Sequence, residues 1–275
     1  MLSIGLPSPR KAPQTPIKMM TTHNAAGKIR VDKDKGAGLS DIDGIPLRIV
    51  THPQAKRLRL RYDYARQQAI LTLPPGVTTA QAQPFLDQYH HWLHEQHSSM
   101  PQPTPFLPGA RIPLGGTPHQ LHHHPDRPAR LILEEPCIQV GGPITGFEKR
   151  VENGLKRLCR TRIEALVSRM AMTLNVQHGR ITLRDTHSRW GSCSAKGHLS
   201  FSWRIIMAPP QVMEYLVAHE VSHLKELNHS KAFWGHVDHL IDHRQASRKW
   251  LKTHGHGLFT YGVPITKPGL LSPKF

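Results

Sequence analysis

Cysteine is scarce in this chain, and the residues that occur form no pair. Cys137, Cys159 and Cys193 lie far apart among 275 residues, and none belongs to a Cys-x-x-Cys motif. A disulfide scaffold and a cysteine-based zinc site are therefore both disfavoured. A chain of this length can bury an ample core without either, as one large domain or two small ones.

Long apolar runs are also missing. No stretch reaches the roughly 20 apolar residues that a membrane-spanning helix needs, so we expect no membrane association. The start of the chain carries Pro, Lys and Arg but no sustained apolar segment of the kind found in secretory signals. Together with the unpaired cysteines, this predicts a cytoplasmic location.

Acidic residues are few: 19 Asp and Glu stand against 36 Lys and Arg, which gives a net charge of +17. A field of this size attracts phosphates and speeds encounter with anionic partners. Further positive charge is predicted on one strand face and on a long helix, at Arg57, Arg59, Arg61, Lys156, Arg157, Arg160 and Arg162. Two interpretations stay open, a solvated surface and a surface that binds nucleic acid or a nucleotide.

What the chain does contain is the segment His219-Glu220-Val221-Ser222-His223, followed by His229. Residues four apart share a helix face, so His219 and His223 can point at one ion with Glu220 beside them. In a chain with 21 His, shuffling yields His-Glu-x-x-His about once in twenty copies, and the third histidine lowers this to roughly one in two hundred and fifty. The pattern predicts a catalytic metal site.

The residues around this motif favour two helices joined by a turn. Pro209 and Pro210 stand where a helix can begin, because an N-terminal proline loses no intrahelical hydrogen bond. The spacing predicts a helix over 211–224, and Ser230 is placed to cap a second helix. The predicted core side of the first helix consists of Met213, Leu216, Val217, Val221 and Leu224. His229 then lies just before the second helix.

This ligand set favours Zn²⁺, because imidazole suits zinc and catalytic zinc sites keep three protein ligands and a water. Glu220 is predicted to act as a general base rather than as a ligand. Two alternatives remain: the histidines satisfy hydrogen bonds in the core, or they bind copper or nickel without catalysis.

Several further residues carry a resemblance to a known family. They are Ser188-Arg189-Trp190-Gly191-Ser192-Cys193, Gly197, Trp203-Arg204, Pro209, the His-Glu-x-x-His helix, Asn228-His229-Ser230 and Phe233-Trp234. Over about 147–255 the chain resembles the YgjP-like metal-dependent hydrolases, a zincin-type group similar to the SprT-type and Wss1-type metallopeptidases. The resemblance implies metal ligands at His219, His223 and His229, and a catalytic glutamate at Glu220.

The resemblance also implies the fold class. We expect an α+β, zincin-like metallopeptidase domain whose active-site helix lies beside a small β-sheet, preceded by a smaller strand-rich region. The family commonly has Asn where this chain has Ser202, so we assign that residue no role. Metzincins share the histidine spacing, but they have a glycine where this chain has Glu226. They also need a downstream methionine, and none follows Met213. We therefore do not assign the chain to the metzincins.

Other residues near the motif are candidates for contact with the substrate or transition state, namely Arg189, Trp190 and His236. Arg189 and Trp190 have an equally weighted alternative, in which the indole is packed and the guanidinium is tied to a carboxylate. Cys193 is interpreted as a packed thiol rather than a nucleophile. Strands are predicted over 180–186 and from Leu199 to Trp203, forming a hairpin whose edge could hold an extended substrate.

Composition and periodicity suggest four parts. Residues 1–42 are predicted to be a disordered basic tail, 43–143 a strand-rich region, 144–262 the catalytic domain, and 263–275 a C-terminal tail. We see no internal repeat. Histidines outside the motif, at His90, His91, His94, His97 and His122 to His124, are assigned to solvated faces because no carboxylate stands in register with them.

The leading functional hypothesis is a zinc-dependent metallopeptidase. The alternatives are a hydrolase of nucleotide phosphoanhydrides, of the pyrophosphatase type, and a peptidase that associates with nucleic acid, because zinc-activated water attacks carbonyl and phosphoryl centres alike. A pure binding module ranks third, since it would have no need of Glu220. The expected partners are accordingly a peptide or nucleotide substrate and nucleic acid at the basic surface.

Overall fold

The computed structural model describes residues 30–31, 39–64, 66–186 and 189–263. These residues form two compact units, an N-terminal unit that ends at Pro101 and a C-terminal unit that begins at Gln102. The sequence-based division placed this boundary after residue 143. Of the two predicted tails, residues 1–29, 32–38 and 264–275 lie outside the described residues.

The difference in the boundary has a hydrogen-bonding cause. The turn at Gly115 and Gly116 donates its two backbone N–H groups to the carbonyls of Ile206 and Met207, at 2.9 and 3.0 Å. The strands that follow Gln102 are thereby joined to the segment that precedes the metal-motif helix. Periodicity reports which face of a strand is buried but not which segment lies against it, so the sequence pattern could not show that these strands contact the segment before the metal-motif helix.

The N-terminal unit is a five-stranded sheet with one helix. Its strands are β1 (Arg30–Val31), β2 (Leu39–Ile42), β3 (Ile45–Thr51), β4 (Arg59–Asp63) and β5 (Gln68–Leu73), in the order β1-β2-β3-β5-β4. Only β3 and β5 pair in parallel, and the other neighbours are antiparallel. Strands β1 and β2 fall within the predicted tail 1–42, so part of that tail belongs to the sheet.

Alternation in β4 positions the first core. Leu60 and Tyr62 are buried whereas Arg59 and Arg61 are exposed, as the sequence predicts. Helix α1 (Thr79–Ser98) begins with a capping box between Thr78 and Gln81. Its buried face consists of Ala82, Phe85, Leu86, Tyr89 and Leu93, which pack with the sheet side chains in one cluster.

The C-terminal unit opens with a four-stranded sheet of β6 (Arg111–Leu114), β7 (Thr117–His124), β8 (Leu131–Glu134) and β9 (Cys137–Gly141). Its order is β6-β7-β9-β8, with a parallel central pair and antiparallel outer pairs. Strands β2 to β5 have this same connectivity, and a long helix follows each sheet. The chain thus repeats one topology, although no sequence repeat announces it.

Helix α2 (Phe147–Leu174) follows and packs against β8 and against the later helices. A three-stranded sheet comes next, built from β10 (Ile181–Arg184), β11 (Gly191–Cys193) and β12 (Leu199–Ser202) in the order β10-β12-β11. The turn at 195–197 joins two antiparallel strands, β11 and β12. Strand β10, however, pairs with β12 in parallel, and Trp203 begins a 3₁₀ segment (Trp203–Met207) instead of continuing the strand.

Three helices complete the unit: α3 (Pro210–Ser222), α4 (Lys231–Leu240) and α5 (Arg244–His254), before a final 3₁₀ segment (Gly255–Thr260). The architecture is α+β, with the helix that carries the metal motif beside the small sheet. Among the described residues no helix is both long enough and apolar enough to cross a lipid bilayer.

Arg204 ties the sheet to the end of the unit. Its guanidinium donates to both carboxylate oxygens of Asp185, at 2.7 and 3.1 Å, and to the carbonyls of Leu258 and Tyr261, at 3.1 and 2.8 Å. It also lies 4.8 Å from the ring centroid of Trp203. A planar group with five donors can satisfy all of these partners at once, which a lysine cannot.

Two helical glycines offer a matched test of this packing. A Cβ on Gly154 of α2 would lie 2.4 Å from the Cβ of Leu131, whereas one on Gly235 of α4 would meet nothing within 4 Å. We expect Gly154→Ala to lower the free energy of unfolding by about 1–3 kcal/mol through overpacking. Gly235→Ala should raise it by about 0.5–1 kcal/mol through helix propensity.

Urea denaturation of both variants beside the wild-type protein measures the two effects. If Gly154→Ala stabilised the protein as Gly235→Ala does, α2 would not lie against β8 as closely as the structure shows.

Candidate metal centre

Helix α3 supplies two of the predicted ligands from a buried position. Pro210 occupies its first turn, as expected, and the helix ends at Ser222, two residues before the predicted end. Both its sides are buried, so that His219, Glu220 and His223 are 3%, 0% and 1% exposed. The sequence predicted that these three would lie along the margin of one apolar side. Burial on all sides holds their rotamers more rigidly than a surface helix would.

The third histidine is positioned by a turn and a helix cap. The side chain of Asn228 accepts a hydrogen bond from the backbone N–H of Ser230 at 2.9 Å. The hydroxyl of Ser230 in turn accepts the backbone N–H of Phe233 at 3.2 Å, and so caps α4 as the sequence predicts. His229 lies between Asn228 and Ser230, and its ring points towards His219 of α3.

The three imidazoles converge through the same nitrogen. Nε2 of His219 lies 3.2 Å from Nε2 of His223 and 3.1 Å from Nε2 of His229. Tetrahedral zinc with bonds of about 2.0–2.1 Å to nitrogen requires ligand nitrogens about 3.3 Å apart. The observed separations agree with that requirement, so these residues fit a bound divalent ion without rearrangement of the backbone.

Charge and hydrogen bonding also suit a cation. Burial lowers the pKa of His219 to about 2, and it lowers the pKa of His223 and of His229 as well. The rings are therefore neutral near pH 7 and have lone pairs to offer. His223 points Nδ1 at the carbonyl of Glu226, 2.9 Å away, which fixes the proton there and leaves Nε2 free to bind.

Aromatic side chains of α4 form one wall of the centre. The ring of Phe233 stacks on His223, with centroids 4.4 Å apart, and the indole of Trp234 lies 5.7 Å from His229. Sequence reasoning matched Phe233 and Trp234 to the family motif but gave them no function. Their spacing from His229, four and five residues onward, was the available indication.

Glu220 lies against the small sheet. A Cβ placed on Gly191 of β11 would come within 2.5 Å of Oε1 of Glu220, so the strand can pass the carboxylate closely only because residue 191 is glycine. This gives Gly191 of the Ser188–Cys193 motif a physical role that the sequence did not reveal. Burial, followed by the nearby charge of Glu220, raises the pKa of Cys193 to about 11, which keeps it a thiol near pH 7.

The remaining candidates lie outside the cluster. Trp190 is fully buried, and its ring lies 5.2 Å from that of Phe259 and close to Gly255. This favours a packing role for the indole over a contact with the substrate. Arg189 is half-buried in the bridge before β11, and its carbonyl accepts the hydroxyl of Thr186 at 2.7 Å. His236 is half-buried on α4. Ser188 lies outside the described residues.

A further histidine near the motif, His243, stands at the N-terminus of α5. There its Nε2 lies 3.3 Å from a carboxylate oxygen of Glu214, and its Nδ1 lies 3.0 Å from the hydroxyl of Ser247. His243 therefore ties α5 to α3 and has no part in the metal cluster.

Comparison with known proteins agrees with this geometry. The YgjP-like family model, described as a metallopeptidase domain, matches residues 56–254. The match confirms the resemblance seen in the sequence and extends it upstream, through much of the predicted strand-rich region. No curated protein matches the chain.

Two solved structures show local similarity. One is the metallopeptidase zymogen abylysin of Pyrococcus abyssi, 23% identical over 31% of this chain and 87% of that chain, with a TM-score of 0.29. The other is the zymogen of jannalysin of Methanocaldococcus jannaschii, 17% identical over 32% and 89%, also with a TM-score of 0.29. Both overlaps are too limited to extend to the function of this chain.

The centre can be tested by removing the ligand that lies outside α3. We expect His229→Ala to weaken zinc binding at this site by about 100-fold or more, since loss even of a group that supports a ligand costs 10–100-fold. His236→Ala is the matched control, because it removes a neighbouring histidine that is not in the cluster. Competition with a chromophoric chelator measures both affinities.

Equal losses in the two variants, or no loss in His229→Ala, would contradict the three-histidine centre.

Proposed function

This chain belongs to the YgjP-like metallopeptidase-domain family, and we propose that it is a zinc-dependent peptidase with Glu220 as its general base. The observation that carries the proposal is the convergence of three imidazoles beside a buried carboxylate. Nε2 of His223 and Nε2 of His229 each lie within 3.2 Å of Nε2 of His219. Three neutral imidazoles favour zinc over magnesium or calcium, which prefer oxygen ligands.

Zinc held by this set would act as a Lewis acid and lower the pKa of the water that it binds to about 7. Glu220 would accept the proton of the attacking water on a carboxylate oxygen and then pass it to the amine nitrogen that leaves. Glu220 directly follows His219 in α3, so the general base and that metal ligand are held by the same helix. The contact with Gly191 restricts where the carboxylate can move.

Strand β11 supports a peptide as the substrate. In the described part of the chain it is an end strand of its sheet, paired with β12 on one side. An extended peptide added along the other side would form backbone hydrogen bonds with β11. Because Gly191 of this strand touches the carboxylate of Glu220, we propose that this addition brings the scissile bond beside the general base.

A specific observation favours association with nucleic acid as the second candidate function. A cavity of about 400 Å³ between α2 and β10 is lined by Lys156, Arg157, Arg160, Leu183, Arg184 and Asp185. Its four cations suit phosphates, and none of its lining residues belongs to the histidine cluster. We therefore propose that it holds a backbone of nucleic acid and does not bring phosphoanhydrides to the metal.

Glu220→Gln separates the peptidase from the other candidates. We expect cleavage of an unfolded protein to fall by about 10²–10⁴-fold, the usual contribution of a general base, while zinc content is unchanged. Cys193→Ala is the matched control, since the thiol is buried near the same carboxylate and is not a nucleophile in this mechanism. Protease and phosphate-release assays on all three proteins give the readout.

The peptidase proposal fails if the wild-type protein releases phosphate or pyrophosphate from nucleoside triphosphates but leaves unfolded protein intact. It fails also if Cys193→Ala is as inactive as Glu220→Gln.

The cationic cavity predicts a salt-dependent affinity for single-stranded nucleic acid. Replacing Arg157 and Arg184 by Ser should reduce the slope of log K against log salt by about 1 for each phosphate that the protein no longer neutralises. The control removes two charges elsewhere, at Lys249 and Lys252 of α5. Deleting residues 1–29, which carry further positive charge and precede β1, should also weaken binding. Fluorescence anisotropy at several salt concentrations measures these slopes, and equal slopes for both double variants would refute the cavity as the binding surface.

A further inference from the structure

Helix α1 displays histidines on its solvent side that the sequence gave no carboxylate partner. The fold supplies one from a distant part of the chain. Nε2 of His90 lies 2.5 Å from Oδ2 of Asp43, and Nε2 of His94 lies 3.7 Å from the same oxygen. The two imidazole rings, one helical turn apart, have centroids 4.5 Å apart.

We propose that Asp43, His90 and His94 form a second binding site for a divalent transition metal, with zinc as its expected ion. The donor atoms of the three side chains all lie within 4.8 Å of one another. Two imidazoles and a carboxylate are a donor set suited to zinc, copper and nickel rather than to magnesium. The site lies wholly in the N-terminal unit and does not depend on the peptidase proposal.

The carboxylate is held in place by a two-residue hairpin turn. Asp43 and Gly44 both have positive φ, at 49° and 82°, and they join the paired residues Ile42 and Ile45. This is the geometry of a type I′ turn, for which Asp-Gly is a favoured sequence. The turn fixes the direction in which Asp43 leaves the sheet, so the carboxylate does not depend on a flexible loop.

The histidines are fixed to the same core as the turn. Ile42 and Ile45 are buried in the cluster that also contains Leu86, Tyr89 and Leu93 of α1. Tyr89 and Leu93 each directly precede a histidine of the site in sequence. The inward packing of these two residues therefore sets the rotation of α1 that presents His90 and His94 towards Asp43.

A simple surface ion pair explains this arrangement less fully. It accounts for His90, whose hydrogen bond is the main cause that lowers the pKa of the Asp43 carboxyl. It accounts less well for His94, because Nε2 of that ring lies 3.7 Å from the carboxylate oxygen, beyond hydrogen-bond distance, and is buried without a hydrogen bond among the described residues. One cation between the rings would satisfy both imidazoles and the carboxylate together. The side chains are 27–46% exposed, so an ion and a completing water can enter.

Helix α1 also carries a matched control. His91 is next to His90 but points away, with 91% of its side chain exposed and a pairing to Glu95 at 3.2 Å. It has the same chemistry, the same helix and nearly the same sequence position as the proposed ligands. If zinc bound non-specifically to surface histidines, replacing His91 would weaken zinc binding. Zinc binding at the proposed site should be unchanged by that replacement.

The test uses the full chain without a histidine tag, stripped of metal and titrated with Zn²⁺ by calorimetry. The wild-type protein should bind two ions per chain, the tighter at the His219 cluster. Asp43→Asn and His94→Asn should each weaken the second site by about 100-fold or more and leave the first unchanged. Asn tolerates positive φ, so Asp43→Asn keeps the turn. His91→Asn should change neither site.

A spectroscopic readout separates this proposal from the peptidase proposal. In the His229→Ala background, in which the first site is removed, Co²⁺ bound to Asp43, His90 and His94 should still give visible absorption, and adding His94→Asn should abolish it. Binding of a single ion by the wild-type protein would overturn the proposal. So would equal losses in His91→Asn and His94→Asn, which would show adventitious binding by surface histidines.

Zinc at this site should also cross-link the β2–β3 turn to α1. Millimolar Zn²⁺ should therefore raise the Tm of the wild-type protein more than that of His94→Asn, because ligand that binds only the folded state stabilises it by mass action. An equal rise in both proteins would contradict the cross-link.

Discussion

The burial of α3 is the constraint on which the convergence of the three imidazole nitrogens in the C-terminal unit depends. A helix that carried His219, Glu220 and His223 on its surface would leave these side chains free to rotate. Here α3 is enclosed by α2, α4, α5 and β11, so that each polar group has a fixed direction. Burial also keeps the imidazoles neutral, because it disfavours their charged form. For His219 and His223, rigidity and neutrality thus share one cause, the close packing around α3, whereas His229 is exposed and is held by the turn before α4.

The surroundings of α3 explain residues that lie far from the histidines in sequence. Gly191 lets a strand approach the carboxylate of Glu220, and Trp190 beside it fills the core against Phe259. Arg204 joins the end of the sheet, at Asp185, to the last turns of the unit. Trp190, Gly191 and Arg204 belong to those parts of the family resemblance that contain no metal ligand. In the structure these three residues pack and position the residues around them.

The sheets of the two units share one strand connectivity. Each of these sheets is followed by a helix that carries candidate functional residues. In the C-terminal unit the helix that packs directly on the four-stranded sheet, α2, carries three of the four cations of the cavity, and the metal motif lies further along the chain. In the N-terminal unit the corresponding helix, α1, carries the histidines itself. The family match spans both units, since it begins at residue 56. Residues 56–101 of the N-terminal unit, which contain β4, β5 and α1, therefore belong to the matched domain.

The amino-acid order alone was sufficient for features whose hydrogen bonds are local. The start of α3, the Ser230 cap, the alternation in β4 and the spacing of His219 and His223 all follow from contacts within about four residues, where propensity and periodicity act. Contacts between segments that are far apart in the sequence could not be predicted from propensity and periodicity. The parallel pairing of β10 with β12, the boundary at Pro101, the approach of Gly191 to Glu220 and the meeting of Asp43 with His90 and His94 each depend on residues roughly 15 to 100 positions apart. Such contacts are selected by how the whole core packs, and a one-dimensional pattern carries no information on that packing.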